Sequence, residues 1–228
     1  MKLLVVTPMR EELNCFLQAC IGRGHVAQTA AIGRLPVARI PDLGITLARG
    51  GTGKTQFAVQ TQHLLDKGGE WDLVVCAGAA GGLIDDLSVG DVVVATATVE
   101  HDYDNRFSAR PLPQFQGAPA AIAGLRRAST PSHSFKVHFG PIASGDEDIV
   151  DPNRRRALQQ ATGALAVAWE GAGGARACAF NGVPFVEVRG VTDAADRNAP
   201  SDFEANLGLA MGNVAALIVN WMRLFGRG

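Results

Sequence analysis

The strongest constraint on this chain is the stretch FVEVRGVTDAAD, Phe185 to Asp196, which carries charged side chains into an otherwise apolar run. Its first residues alternate as a strand does, and Gly190 is expected to break the run into a turn of small residues that presents Thr192 and Asp193. An unpaired carboxylate or guanidinium at the exit of a buried strand costs several kcal/mol. Arg189 and Asp193 therefore need partners. A structural ion pair is one resolution, and Glu187, two residues earlier on the same strand face, can supply it for Arg189. A binding site at the carboxyl end of a sheet, where open α/β proteins place their ligands, is the other.

Other segments deliver polar residues in the same way, at the ends of short apolar runs. Lys2 to Val6 reads as a buried strand, after which TPMREEL turns into a helix with Glu11 and Glu12 in its first turn, where the helix dipole favours anions. Gly24 to Ala48 has the pattern of a β-meander, with strands at Val37 to Ile40 and Ile45 to Ala48 around Pro41-Asp42. Gly53-Lys54-Thr55 resembles the end of a phosphate-binding loop, but that motif requires glycine where this chain has Ala48. The strand from Leu73 to Ala77 also ends without a magnesium-holding aspartate, which argues against nucleoside triphosphate hydrolysis. A glycine turn opening a helix from Thr55 to Lys67, with free N–H groups at its start, is the better reading.

Ala77 to Leu83, AGAAGGL, is a second small-residue turn, and Ala80 and Gly81 leave room for a ligand against the backbone. The strand VVVATATV then leads to His101, Asp102 and Tyr103. Ser108 to Gly117 reads as a Pro-rich loop that is either mobile or used at an interface. After a helix from Ala120 to Arg127, the strand FKVHFGPIASGD delivers Asp146, Glu147 and Asp148 ahead of a helix beginning at Pro152. Leu165 to Trp169 is a strand ending at Glu170, a carboxylate among glycines and alanines that would let the next helix pack closely. SDFE at Ser201 to Glu204 matches a capping box. The final helix would then carry Phe203, Leu207, Met211, Val214, Leu217, Ile218, Trp221 and Phe225 as a core stripe.

Composition narrows the function. At 228 residues, 47% apolar and 19% charged with no break in composition, the chain reads as a single domain spanning residues 1–228. A net charge of −1 leaves no basic stripe for nucleic acid; Arg126-Arg127 and Arg154 to Arg156 read as solvated helix faces. Cys15, Cys20, Cys76 and Cys178 lack metal-ligand spacing and read as free thiols in a reducing compartment. The scattered histidines form no zinc motif. The apolar start stops at Thr7-Pro8, too soon for a signal peptide, and Asn206, Asn213 and Asn220 argue against a membrane span in the last helix. A cytoplasmic protein is expected.

In their order and spacing, TPMREEL, GGTGK, AGAAGGL followed by GD, SGDEDI, AWEG and VRGVTDAAD resemble the nucleoside phosphorylase and nucleosidase superfamily, in the branch of methylthioadenosine/S-adenosylhomocysteine nucleosidase and futalosine hydrolase. The resemblance covers nearly the whole chain. It implies a three-layer α/β/α sandwich with a mixed central sheet, commonly a homodimer, that cleaves a purine-type nucleoside into base and sugar without a metal or other cofactor. It makes Asp193 the acid that protonates or hydrogen-bonds N7 of the base, Glu12 and Arg189 the holders of the attacking water, and Glu170 the partner of the ribose hydroxyls. Met9 packs on the sugar, Thr192 stands where serine is common, and Ala80, Gly81, Asp148, Ile149 and Trp169 complete the substrate-binding set. Such chemistry needs a protonated Asp193, hence a carboxyl group whose pKa burial has raised.

The chain also departs from the branch. Ala168 and Trp169 replace a Glu and a Met beside the sugar, and Asp148 stands where an aromatic stacks on adenine. A Glu187–Arg189 pair would compete with water holding. Two alternatives accompany hydrolysis. Phosphorolysis would use phosphate, with Arg10 or Arg49 as its anion ligand. A non-catalytic nucleoside-binding protein would not require both an acid and a water holder.

Overall fold

The computed structural model describes residues 1–104, 106–107, 110–129 and 134–225. Among these residues, ten strands form one mixed sheet: β1 (Leu3–Thr7), β2 (Gln28–Ile32), β3 (Leu35–Ile40), β4 (Ile45–Arg49), β5 (Leu73–Gly82), β6 (Val92–Glu100), β7 (Gln114–Gln116), β8 (Val137–Ser144), β9 (Ala166–Ala168) and β10 (Phe185–Asp193). Six α-helices among the described residues flank it: α1 (Arg10–Ile21), α2 (Lys54–Gly68), α3 (Pro119–Ala128), α4 (Pro152–Thr162), α5 (Gly171–Asn181) and α6 (Ala199–Phe225).

The layering follows from strand periodicity. Successive side chains of β1 point to opposite faces. Leu3 and Val5 join a core with Phe16 of α1 and Met211 and Leu217 of α6, whereas Leu4 and Val6 join another with Phe57 of α2 and Cys178 of α5. The sheet thus lies between helices on both faces, as expected of an α/β/α sandwich. One half of it also closes on itself: β10 pairs with β5 and β6, β8 joins β6 to β9, and β9 returns antiparallel to β5.

Two turns expected from sequence are strands. β5 continues through AGAAGG to Gly82, and β10 continues through Gly190 to Asp193 with every residue buried. Each satisfies the other's backbone: Val188 to Val191 of β10 run in register beside Ala77 to Ala80 of β5. Small side chains here mark two strands wedged between neighbours rather than a turn.

At the chain's end, α6 begins at Ala199, two residues before the expected cap, so Ser201 lies within the first turn and its Oγ donates to the Asn198 carbonyl. The capping-box reading is therefore wrong, because Pro200 already fits the first helical turn. By length and apolar composition α6 qualifies as a membrane-crossing helix, but 61% of its most apolar window is buried against the protein. Asn206 donates to the Thr192 carbonyl and Asn213 to that of Gly90. Part of the expected Pro-rich loop, Ser108 and Ala109, lies outside the described residues. Within it, β7 pairs with β6.

The glycine-rich α5 does pack closely. A Cβ at Gly173 would overlap the Lys54 carbonyl at the start of α2. Gly173→Ala is expected to destabilise the protein by about 2–3 kcal/mol, lowering the thermal midpoint by roughly 5–10 °C. An unchanged midpoint in a melt would show that α2 and α5 can separate without cost.

Candidate active site

β1, β5 and β10 run parallel and end side by side, and the exits of β8 and β9 reach the same place because Val167 sits opposite Gly81. Together they line a cavity of about 480 Å³. It brings together all eleven residues singled out from sequence: Met9, Glu12, Ala80, Gly81, Asp148, Ile149, Trp169, Glu170, Arg189, Thr192 and Asp193. Larger hollows of about 690 and 750 Å³ lie elsewhere. The first has no carboxylate in its lining, and Asp91 in the second is held by Ser88 N, Lys136 N and His138 Nε2.

At the floor, Arg189 is 1% exposed. Its Nε donates to Glu187 Oε1 at 2.8 Å and its Nη2 to Glu170 Oε2 at 3.2 Å, while Nη1 reaches the Ala79 carbonyl and Nη2 the Cys76 sulfur. The Glu187–Arg189 pair anticipated from sequence is formed. Burial opposes the guanidinium charge, and the surrounding carboxylates of Glu187, Glu170 and Glu12 outweigh it, so Arg189 stays charged. Burial pushes the Cys76 thiol well up, leaving it neutral.

Glu12 is 2% exposed. Its Oε2 accepts from Met9 N at 2.7 Å and its Oε1 from Ala79 N at 2.8 Å. Burial raises its pKa to about 7, against the pull of Arg189 and the Ala79 amide. Glu170 is likewise raised by burial, with Arg189 and the Gly53 amide opposing.

Asp193 stands at the end of β10, where Oδ2 accepts from Thr192 Oγ1 at 2.8 Å and Oδ1 from Ala195 N at 2.9 Å. Burial raises its pKa, and those two hydrogen bonds moderate the rise. Ala195 has φ = 50°, an unfavourable left-handed conformation for a residue with a Cβ. That turn is held in place by the hydrogen bond to the carboxylate it shapes.

Carboxylates of the chain itself occupy the start of α2, which had looked open to an anion. Gly53 N donates to Glu170 Oε1 and Lys54 N to Asp146 Oδ1. Lys54 Nζ pairs with Glu100 at 2.9 Å and Asp102 at 2.5 Å, so the residue that resembled a phosphate-binding lysine is a structural clamp. Asp102 also accepts from Asp146 N, and Arg154 grips Glu147 with two hydrogen bonds. Arg155 reaches the Gly82 carbonyl and Asp85. These arginines tie α4 to the site's rim, which corrects their reading as a merely solvated face. Arg126, for its part, stacks on Phe139 at 4.0 Å.

The cavity's remaining wall was missed in sequence. Phe203 and Glu204 line it from α6, although one had been read as core and the other as a capping residue. Thr52 lines it from the loop before α2. Trp169 is anchored by Nε1 donating to the Glu147 carbonyl at 3.1 Å. Arg10 and Arg49 are exposed and outside the lining, which leaves Arg189 as the cation among the lining residues. Among the described residues, no group of three or more His, Cys, Asp or Glu is arranged to hold a metal ion.

Comparison with known proteins identifies the family. Residues 2–222 match the family model described as the phosphorylase superfamily. The chain is similar to 5′-methylthioadenosine/S-adenosylhomocysteine nucleosidases of Shewanella halifaxensis, 31% identical over 77% of this chain and 79% of the relative, and of Shewanella oneidensis, 29% identical over 96% and 94%. Among solved structures, the corresponding nucleosidase of Neisseria meningitidis in complex with methylthio-immucillin-A superimposes with a TM-score of 0.87 at 28% identity, covering 98% of this chain and 100% of that one. Futalosine hydrolase of Helicobacter pylori does so with a TM-score of 0.84 at 26% identity, covering 98% of each chain.

Proposed function

The chain belongs to the phosphorylase superfamily, and from that premise we propose that it hydrolyses purine nucleosides whose 5′ substituent carries no negative charge. It is an N-glycosyl hydrolase, a nucleosidase, as its relatives' names state of them. The observation that carries the finer reading is the charge of the cavity. Asp148, Glu170 and Glu204 face it as carboxylates, Glu147 is paired with Arg154, burial favours the protonated forms of Glu12 and Asp193, and the lining cation Arg189 is already held by two carboxylates. An anionic nucleophile or a 5′-phosphate would enter against this field, whereas water and a neutral thioether or alkyl group would not.

In this reading a protonated Asp193 hydrogen-bonds and protonates N7 of the purine, so the base leaves as a neutral molecule. Its raised pKa supports that role. Glu12 orients the attacking water and takes up its proton, with Arg189 beside it. Glu170 accepts from a ribose hydroxyl and offsets the positive charge that develops on the sugar. Met9 and Phe203 give the 5′ group an apolar wall, which favours a methylthioadenosine-like substrate. Hydrolysis of this bond needs water and these acid–base groups alone.

Two further elements belong to the proposal. The continuous sheet from β1 to β10 supports a single domain over residues 1–228. A homodimer is favoured by Tyr103 and Phe107, large side chains exposed on the stretch that follows β6.

The test is base release from methylthioadenosine, futalosine, adenosine, inosine and adenosine 5′-monophosphate, with and without phosphate. Release from a 5′-uncharged nucleoside at a rate independent of phosphate is expected, with the monophosphate at least about a hundredfold slower, as electrostatic exclusion of that size requires. Release that depends on phosphate would replace hydrolysis by phosphorolysis.

A further inference from the structure

Glu187 is the one carboxylate of the Arg189 cluster that does not line the cavity, and it is wholly buried. Its two oxygens are taken by protein groups: Oε1 by Arg189 Nε at 2.8 Å and Oε2 by Thr98 Oγ1 at 2.7 Å. Room for it comes from Gly171, where any Cβ would overlap the Glu187 carboxylate. Three elements, β6, β10 and the start of α5, thus combine to seat a charge in the protein interior. A buried carboxylate is costly to hold, and a methyl-bearing side chain would fill this space more readily.

Its effect is on the charge count. Facing Arg189 are Glu12 from α1, Cys76 from β5, Glu170 from the junction before α5 and Glu187 from its own strand. With all three carboxylates ionised, the cluster would carry two negative charges in excess. Nearby charges do not correct this, because Lys54 and Arg176 are matched by Glu100 and Asp102. Crowded like charges in a low-dielectric site retain a proton.

We propose that Glu187 is a positioning residue for the hydrolytic reaction: by holding Arg189 from behind and adding a third buried carboxylate, it makes the cluster keep one proton and leaves Arg189 no free charge for an anion. The nucleophile that suits such a site is neutral water. Glu12, whose pKa burial lifts to about 7, is the cavity-facing member that shares the retained proton. The inference rests on the nucleosidase reading for its kinetic consequence alone; the proton retention is a property of the folded chain.

Glu187→Gln keeps the shape and the Thr98 contact while removing the charge. Two measurements separate the inference from the reading it rests on. The first is the thermal midpoint of wild type and variant between pH 5 and 8. The wild type is expected to lose stability as pH rises through this window, because its folded cluster releases a proton later than the unfolded chain does. In the variant that decline is expected to be smaller, and parallel curves would overturn the proposal whether or not any nucleoside is cleaved. The second is the pH profile of base release. The variant's kcat is expected to fall about tenfold or more with KM within about threefold, and its ascending limb to move to lower pH by about half a unit or more. A fall in kcat with an unmoved limb would mean a purely structural role and would likewise overturn it. If Glu187→Gln does not fold, Thr98→Val removes one hydrogen bond to the same carboxylate. Its kcat is then expected to fall about threefold at unchanged KM, and wild-type kcat would refute the proposal.

Discussion

Asp193→Asn is expected to lower kcat about 10²- to 10⁴-fold, the range associated with a positioned general acid. The change is nearly isosteric. The asparagine oxygen can still accept from Ala195 N, and the Thr192 hydroxyl can rotate to accept where it now donates, so the turn at Ala195 should survive. What is lost is a transferable proton. Because that proton matters most as the glycosidic bond breaks, affinity for the intact nucleoside should stay within about tenfold. Single-turnover base release and equilibrium binding, measured on the same preparation, distinguish the two quantities. A kcat within threefold of wild type would remove Asp193 from the mechanism.

Glu12→Gln should act on activity and on stability in different ways. A glutamine cannot take a proton from water, and kcat is expected to drop about 10²-fold or more. For stability the sign follows from the raised pKa. Burial lifts folded Glu12 to about 7 from its ordinary 4.5, so its contribution is fully favourable below about pH 4.5 and declines as pH rises. Above pH 7 the ionised, buried group costs on the order of 3 kcal/mol relative to its protonated form. The variant removes that loss, but one of the Met9 and Ala79 amides then faces an amide nitrogen, a penalty of about 1–3 kcal/mol. The variant should therefore melt below wild type at pH 5 and close the gap by pH 8. Glu170 and Asp193, also raised by burial, leave a residual decline in both proteins, and His101, lowered by burial, opposes it near neutral pH. Equal slopes in wild type and variant would show that Glu12 does not titrate in this range.

Much of the site was legible because its residues are chemically out of place. Glu12, Glu170, Arg189 and Asp193 stand out as charges at the ends of apolar runs, and each lies in the cavity. Phe203 and Glu204 gave no such signal, since an apolar residue in an amphipathic helix and an acid in its first turn are ordinary there. Their role depends on where α6 starts, and that depends on Pro200 and on the turn after Asp193. The lengths of β5 and β10 were hidden for another reason. Glycine and alanine are common in turns, and only the pairing of two small-residue segments with each other makes them strand. Lys54 shows the opposite case, a local motif whose resemblance to a phosphate loop is cancelled by Glu100 and Asp102, distant in sequence.

The half of the sheet that closes on itself has a consequence for how the enzyme comes into being. Its closure joins β5 to β10, more than a hundred positions apart along the chain, and the cavity draws on segments from Pro8 to Glu204. Contacts of such separation form slowly, because chain entropy is lost before they can compensate for it. A nascent or partly folded chain therefore holds Asp193, Glu12 and Glu170 on separate pieces. The cavity is complete only when β10 has been placed between β5 and β6, so enzymatic activity reports the finished fold.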